Sequence, residues 1–259
     1  MYAKKSLGQH FLRSTRALDK IIESGNLHEG EVVLEIGPGE GVLTKRLLAT
    51  GVSVLAIEKD DELFQSLKKE FGGEIKRGNL ILEHGDVLDW NPIKPIAKSY
   101  KLVANIPYNI TGAILQKFLG GTHQPERMVL LVQDEVAKRI VAREGKESIL
   151  SISVKVYGTP RYVEKVLAGS FAPAPEVNSA IISIENISKK FFTNLDEEKF
   201  FTLVKTGFSS KRKKLSSNLS LIVDKEEVRK AFQELNLNEN IRAEDVNTET
   251  WGKIAERLG

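Results

Sequence analysis

Asn105-Ile106-Pro107-Tyr108 place an amide, a backbone-fixing proline and an aromatic ring within four positions. Asn105 offers both a hydrogen-bond acceptor and donors, Pro107 fixes φ and removes a donor, and Tyr108 presents a flat face. Together they can hold a flat, hydrogen-bonding ring such as a nucleobase. A strand ending in a proline turn has the same local pattern, so these four residues alone leave turn and active site level.

A second cluster lies upstream. The apolar run Val32-Val33-Leu34 leads to Gly37-Pro38-Gly39-Glu40-Gly41 and then to a helical pattern over Val42 to Ala49. Strand, glycine turn and helix form the opening unit of a cofactor-binding α/β sheet, where glycines let backbone approach a ligand. Val52 to Ile57 reads as the next strand and ends on Glu58, twenty-one positions after Gly37. An acid there can accept both hydrogen bonds of a ribose diol. A dinucleotide fingerprint needs glycine or alanine at its sixth position, which here is Val42. The G-x-G-x-G spacing from Gly37 favours S-adenosylmethionine over NAD. Asp86 follows the strand-like Leu80-Ile81-Leu82 and could accept from the adenine amine of that cofactor. Leu102 to Asn105 reads as a further strand, which brings Asn105 to the same carboxyl edge as Gly37, Glu58 and Asp86.

The remaining elements must hold this edge together. Ser14 or Thr15 can cap a helix running to about Ser24. Helices are expected at Asp60 to Glu70, Thr111 to Leu119 and Asp134 to Ala142, with a glycine-broken loop after Glu70 and a strand at Met128 to Val132. Ile149 to Tyr157 suits strand or helix. Tyr162 to Leu167 and Ala180 to Ile184 read as an antiparallel pair, joined by the proline-stiffened Phe171-Ala172-Pro173-Ala174-Pro175, which presents Phe171 or buries it. From about Ile187 only helical patterns follow: Glu197 to Gly207, Lys211 to Ser220, Glu226 to Leu235 and Thr248 to Leu258. The expected fold is therefore an α/β, Rossmann-like sheet with helices on both faces over residues 1–186, followed by a small all-α domain over residues 187–259.

The chain has 259 residues, 41% hydrophobic and 28% charged, which excludes disordered and fibrous classes. Its 38 basic and 35 acidic residues leave only +3, yet the basic residues cluster. Lys4, Lys5, Arg13, Arg16 and Lys20 face only Asp19 in the first twenty positions, and Lys211-Arg212-Lys213-Lys214 form a second block. Lys138, Arg139 and Arg143 share a predicted helix and its end. Without cysteine there are no disulfides, thiol nucleophiles or cysteine-based zinc sites. The four scattered histidines argue against a metal site, and no apolar run matches a membrane span. A cytoplasmic, monomeric protein is expected.

Several motifs together resemble the ribosomal RNA adenine N6,N6-dimethyltransferase family, in particular its small-subunit branch linked to kasugamycin sensitivity. They are Lys5 to Leu12, Leu34 to Thr44, Asn105 to Ile110, Val132 to Ala137, Phe171 to Ser179, and Phe208 with Lys211 to Leu215. The resemblance spans nearly the whole chain. It implies S-adenosylmethionine contacts from His10, Leu12, Gly37, Gly39, Glu58, Asp86 and Asn105, with His10 standing where asparagine is commonest. It implies catalysis by Asn105, Ile106, Pro107 and Tyr108, with Phe171 closing the second face of the base. Lys4, Lys5, Lys138, Arg139, Arg143 and Lys211 to Lys214 would contact RNA, the partner being small-subunit RNA or an immature 30S particle. Ile106 replaces a common leucine and is shared with large-subunit enzymes, so the flanking segments decide between subunits. A DNA amino-methyltransferase and a non-catalytic assembly factor are the competing readings.

Overall fold

Short apolar runs bounded by glycine and polar turns build the sheet that positions the site. The computed structural model describes residues 9–91, 98–142 and 145–259. Lys4, Lys5 and Arg143 lie outside the described residues. The described chain runs β1 (Phe11–Leu12), α1 (Thr15–Gly25), β2 (Val32–Ile36), α2 (Val42–Leu48), β3 (Ser53–Glu58), α3 (Asp61–Glu70), α4 (Gly72–Arg77), β4 (Leu80–His84), β5 (Lys101–Asn105) and α5 (Thr111–Gly120). It continues through β6 (Arg127–Gln133), α6 (Asp134–Val141), α7 (Ile149–Lys155), β7 (Thr159–Val166), β8 (Phe171–Ala172), β9 (Ser179–Glu185), α8 (Glu197–Gly207), α9 (Leu215–Leu219), α10 (Lys225–Glu234) and α11 (Thr248–Leu258).

Seven strands form one sheet in the order β4-β3-β2-β5-β6-β9-β7. The first five are parallel, and β9 runs antiparallel to both β6 and β7. The order reverses between β2 and β5, where connections leave to opposite sides and open a crevice at the strand carboxyl ends. Glu35 of β2 is in register with Ala56 and Val103, so the tips carrying Gly37, Glu58 and Asn105 come level. The sheet core is largely apolar, with Val33, Leu34, Leu102, Val103, Val129 and Leu130 fully buried. Local signals set the helix starts: Ser14 accepts from Ala17 N at 3.3 Å, and Asp60 from Glu62 N and Leu63 N at 2.9 and 3.1 Å.

The structure settles or adds local detail at four places. Ile149 to Tyr157 resolves as a helix, because Ser148 and Ser151 close a reciprocal capping box at its start. The glycine-broken loop contains α4, whose Gly72 and Gly73 sit in the first turn and whose end is set by left-handed Gly78. The predicted helix over Lys211 to Ser220 shrinks to Leu215–Leu219, and the four basic residues form an exposed turn closed by Lys213 N on Ser210 O at 3.0 Å. Four consecutive cations at a helix N-terminus oppose its dipole. Finally, β1 and β8 pair antiparallel as a separate two-stranded sheet.

The chain separates into two compact units, one running up to Ala137 together with Thr159–Ile187, the other Lys138–Gly158 together with Ser188–Gly259. The helical unit thus includes α7 as well as the residues beyond 187. Two bonds explain this: Tyr157 donates its hydroxyl to Glu197 Oε1 at 2.5 Å, and Glu147 N bonds Glu244 O at 2.8 Å. Within this unit Trp251 and Phe200 are completely buried, and α8 approaches α11 so closely that a Cβ on Gly207 would lie 2.4 Å from the Trp251 ring. Among the described residues no helix is long and apolar enough to cross a membrane.

Candidate active site

The glycine turn after β2 holds three successive left-handed glycines, Gly37, Gly39 and Gly41, at φ +64, +61 and +76°. Side chains with a Cβ rarely adopt that conformation. Gly37 N is held by Ile57 O at 2.9 Å, and a Cβ on Gly37 would meet nothing within 4 Å, so the turn opens onto free space. A Cβ on Gly41 would instead lie 2.5 Å from the Phe71 ring, so here glycine is needed for packing.

Glu58 ties the turn to the tip of β3. Its Oε2 accepts from Gly39 N at 3.0 Å and its Oε1 from Asp60 N at 2.9 Å. Burial pushes its pKa up, while these main-chain donors pull the other way. Asp86 follows β4 in a different setting. It accepts from Lys59 Nζ at 2.7 Å and from Leu88 N at 2.8 Å, and the lysine first and then the amide hold its pKa below the usual carboxylate range.

At the tip of β5, Asn105 donates its side-chain amide to the main-chain carbonyl of His10 at 3.1 Å. Pro107 and Tyr108 follow, Tyr108 opening a turn of 3-10 helix over Tyr108–Ile110. The Tyr108 hydroxyl lies 2.6 Å from Ser179 Oγ on β9, and burial raises its pKa. The His10 ring stacks on Tyr108, with centroids 5.9 Å apart and planes at 21°. His10 Nδ1 lies 2.9 Å from Pro173 O. A carbonyl only accepts, so Nδ1 carries the proton.

These groups line one cavity. Its walls include His10, Leu12, Gly37, Gly39, Glu58, Asp86 and Asn105, the residues expected around a cofactor, and also Ile106, Pro107 and Tyr108. Phe171 is not brought there. It is buried in the apolar core, in register with Leu12 across the β1 and β8 pair, and His10 stands against Tyr108 instead. Two further residues carry roles that the motif reading did not give them. Glu35 lines the cavity from inside β2, and Ser179 anchors Tyr108. An acid within the apolar run Val32 to Ile36 was the available signal for the first.

The expected RNA contacts lie elsewhere on the chain. Lys211 to Lys214 and Arg139 are exposed and Lys138 is half-buried, all within the helical unit. The basic excess near the amino terminus is partly neutralised, since Arg13 pairs with Glu40 at 2.6 Å, Arg16 with Glu164 at 2.9 Å and Lys20 with Glu23 at 2.6 Å.

The family model described as ribosomal RNA adenine dimethylase matches residues 1–259. The ribosomal RNA small subunit methyltransferase A of Dehalococcoides mccartyi is 40% identical over 256 residues, covering 97% of this chain and 87% of that protein. The protein of the same name from a Nostoc species is 38% identical over 269 residues, covering 99% and 98%. Among solved structures, a dimethyladenosine transferase from Plasmodium falciparum superposes with a TM-score of 0.82 at 26% identity, covering 95% of this chain and 96% of that one. The 23S rRNA methyltransferase ErmE gives 0.77 at 27% identity, covering 96% and 99%. With the family model matched from end to end, this chain belongs to the ribosomal RNA adenine dimethylase family.

Proposed function

We propose that this chain transfers methyl groups from S-adenosylmethionine to N6 of two adjacent adenosines in a hairpin loop near the 3′ end of small-subunit (16S) ribosomal RNA, giving N6,N6-dimethyladenosine during ribosome biogenesis. The orientation of Asn105 carries this reading. The atom facing the His10 carbonyl must be the amide nitrogen, so Oδ1 is left as an acceptor without a partner among the described residues. Asn105 and Tyr108 both line the cavity.

The cavity fits the cofactor. The Gly37 turn leaves room where any side chain would intrude, Glu58 and Asp86 supply acceptors, and Glu35 brings a buried polar atom without a partner among the described residues. The bound cofactor supplies an electrophilic methyl on sulfur. Adenine N6 is a poor nucleophile because its lone pair is delocalised into the ring. Acceptors at its amino protons, Asn105 Oδ1 and the Ile106 carbonyl, localise that pair and stabilise the pyramidal nitrogen of the transition state. Tyr108 holds the base by stacking, and Ser179 fixes the ring through its hydroxyl. Methylation makes the amino group cationic, so its proton leaves readily and no strong base is required. Most of the acceleration is then orientation.

Extruding the base costs a few kcal/mol, least in a hairpin loop. Phosphate contacts from Lys211 to Lys214, Lys138 and Arg139 would offset it. The helical unit thereby serves as the RNA-binding part, the substrate is small-subunit RNA within an immature 30S particle, and the enzyme works as a monomer in the cytoplasm. The small-subunit names of relatives at 38 to 40% identity favour this RNA over the large-subunit RNA named for ErmE at 27%. The test offers labelled S-adenosylmethionine with immature small subunits, large subunits and duplex DNA in parallel. Label in the small-subunit RNA alone supports the proposal, and label only in large-subunit RNA or duplex DNA contradicts it.

A further inference from the structure

Lys211 to Lys214 place four positive charges in consecutive positions, and a free loop of that kind relaxes by spreading apart. Here the connection from α8 to α9 is closed instead. Lys213 N donates to Ser210 O at 3.0 Å, and Leu215 N to Ile241 O at 2.9 Å. Leu215, the residue after the block, is completely buried, and a Cβ on Gly207 at the end of α8 would lie 2.8 Å from its side chain. The four cations are exposed. Among the described residues none of them pairs with an acid, whereas Arg13, Arg16 and Lys20 do.

Asn218 of α9 makes this closure. It is 1% exposed, and its Nδ2 donates to Gly207 O at 2.6 Å and to Ser210 O at 3.1 Å. Its main-chain N donates to Lys214 O at 3.2 Å. Carbonyls only accept, so the atom facing both of them is the amide nitrogen. Oδ1 is buried without a partner among the described residues, so the hydrogen bonds of this side chain all go to the α8–α9 connection. The cations therefore lie between Ser210 and Asn218, pinned on both sides. Leucine has a similar volume and no donor, so Asn218→Leu removes the pins and keeps the space filled.

Four cations on a flexible loop bind any polyanion through the counterions they release, with little regard to its shape. The same cations on a fixed turn match only phosphates of one spacing, and they bind without the cost of ordering the loop. We propose that Asn218 is a positioning residue that holds the Lys211 to Lys214 turn in one shape before RNA arrives, so that the turn selects folded ribosomal RNA by the arrangement of its phosphates. Asn218 touches no RNA itself, since it is buried beneath the turn it holds. The inference rests on the reading of Lys211 to Lys214 as RNA contacts.

Binding of the full chain to immature small subunits and to polyuridylate, an unstructured RNA, separates shape from charge. Asn218→Leu should weaken binding to the particles about tenfold, within the range of couplings between residues in contact, and leave polyuridylate binding within about twofold. With Lys211 to Lys214 all replaced by glutamine, adding Asn218→Leu should change particle binding by less than about twofold, because no cations remain to position. Equal losses toward both RNAs, the same loss in both backgrounds, or no loss at all overturns the inference alone. Hydrogen exchange on the unmutated chain tests it without a variant. The Lys213 amide, bonded to Ser210 O, should be protected before RNA is added, and protection that appears only with RNA overturns the preformed turn. If the fourfold glutamine variant binds particles as tightly as the unmutated chain, the RNA reading of the block falls and this inference falls with it.

Discussion

The side chain of Asn105, at the end of β5, holds the main-chain carbonyl of His10, ninety-five positions earlier in the chain, at 3.1 Å. One amide thus joins the amino-terminal motif to the Asn105–Tyr108 stretch proposed to carry catalysis, while its oxygen remains an acceptor. Asn105→Ala removes both functions. Its kcat should fall on the order of 10²- to 10³-fold, the effect of losing one preorganised transition-state hydrogen bond, with the melting temperature within a few degrees of the unmutated chain. Methyl transfer to immature small subunits and a thermal melt check this together. Near-normal transfer rules out the assignment of Asn105.

Tyr108 combines a stacking face with a hydroxyl placed 2.6 Å from Ser179 Oγ. Tyr108→Ala should cost roughly 1–3 kcal/mol of base binding, which is about 5- to 150-fold in kcat/KM. Tyr108→Phe and Ser179→Ala each keep the ring and lose one hydrogen bond worth about 1 kcal/mol, so each should lose about fivefold or less. Equal losses for Ala and Phe at position 108 would show that the hydroxyl, not the ring, does the work.

The pH dependence of stability follows from Glu35. Its folded-state pKa of about 8 lies above its ordinary 4.5, so the native state holds a proton that the unfolded chain has released. Stability should therefore fall as pH rises from about 5 to about 8, by up to about 1.4 kcal/mol per pH unit from this group. Glu35→Gln carries no titrating proton and should flatten that window, with its gain over the unmutated chain appearing on the alkaline side. Urea denaturation at pH 5.5 and pH 8.5 measures it, and identical slopes in the two proteins contradict the burial argument.

Lys211 to Lys214 stand exposed in a turn of the helical unit. Replacing all four by glutamine should weaken RNA binding and reduce the slope of log K against log salt by about 3, at roughly 0.7–0.9 per phosphate contact. Binding to the hairpin RNA between 50 and 200 mM salt reports both. An unchanged affinity and slope make the block a solvated turn only.

Legibility in the sequence followed the length of the signal. Apolar runs and long amphipathic stretches marked most strands and helices, and α8 and α11 start and stop where their patterns do. The strand-tip residues Gly37, Glu58, Asp86 and Asn105 were readable because a parallel sheet forces such tips to one edge. The two-residue pair of β1 and β8 has no periodicity to detect, so the meeting of His10 with Tyr108 was invisible. Phe171 sits in a motif that names it without saying which way it faces, and the pairing with Leu12 turns it into the core. The basic block looked helical by composition, but helix dipole and cap preferences acted against it. Glu35 was legible only as a letter in a motif, because its role arises from the burial of one oxygen.

Mass spectrometry of both ribosomal RNAs, after the purified chain has acted on immature particles with isotopically labelled S-adenosylmethionine, tests the account at its centre. It reads substrate, position and methyl count at once. The account predicts two adjacent N6,N6-dimethyladenosines in small-subunit RNA, absent when Asn105→Ala replaces the unmutated chain. Label confined to large-subunit RNA, or equal dimethylation by Asn105→Ala, would contradict it.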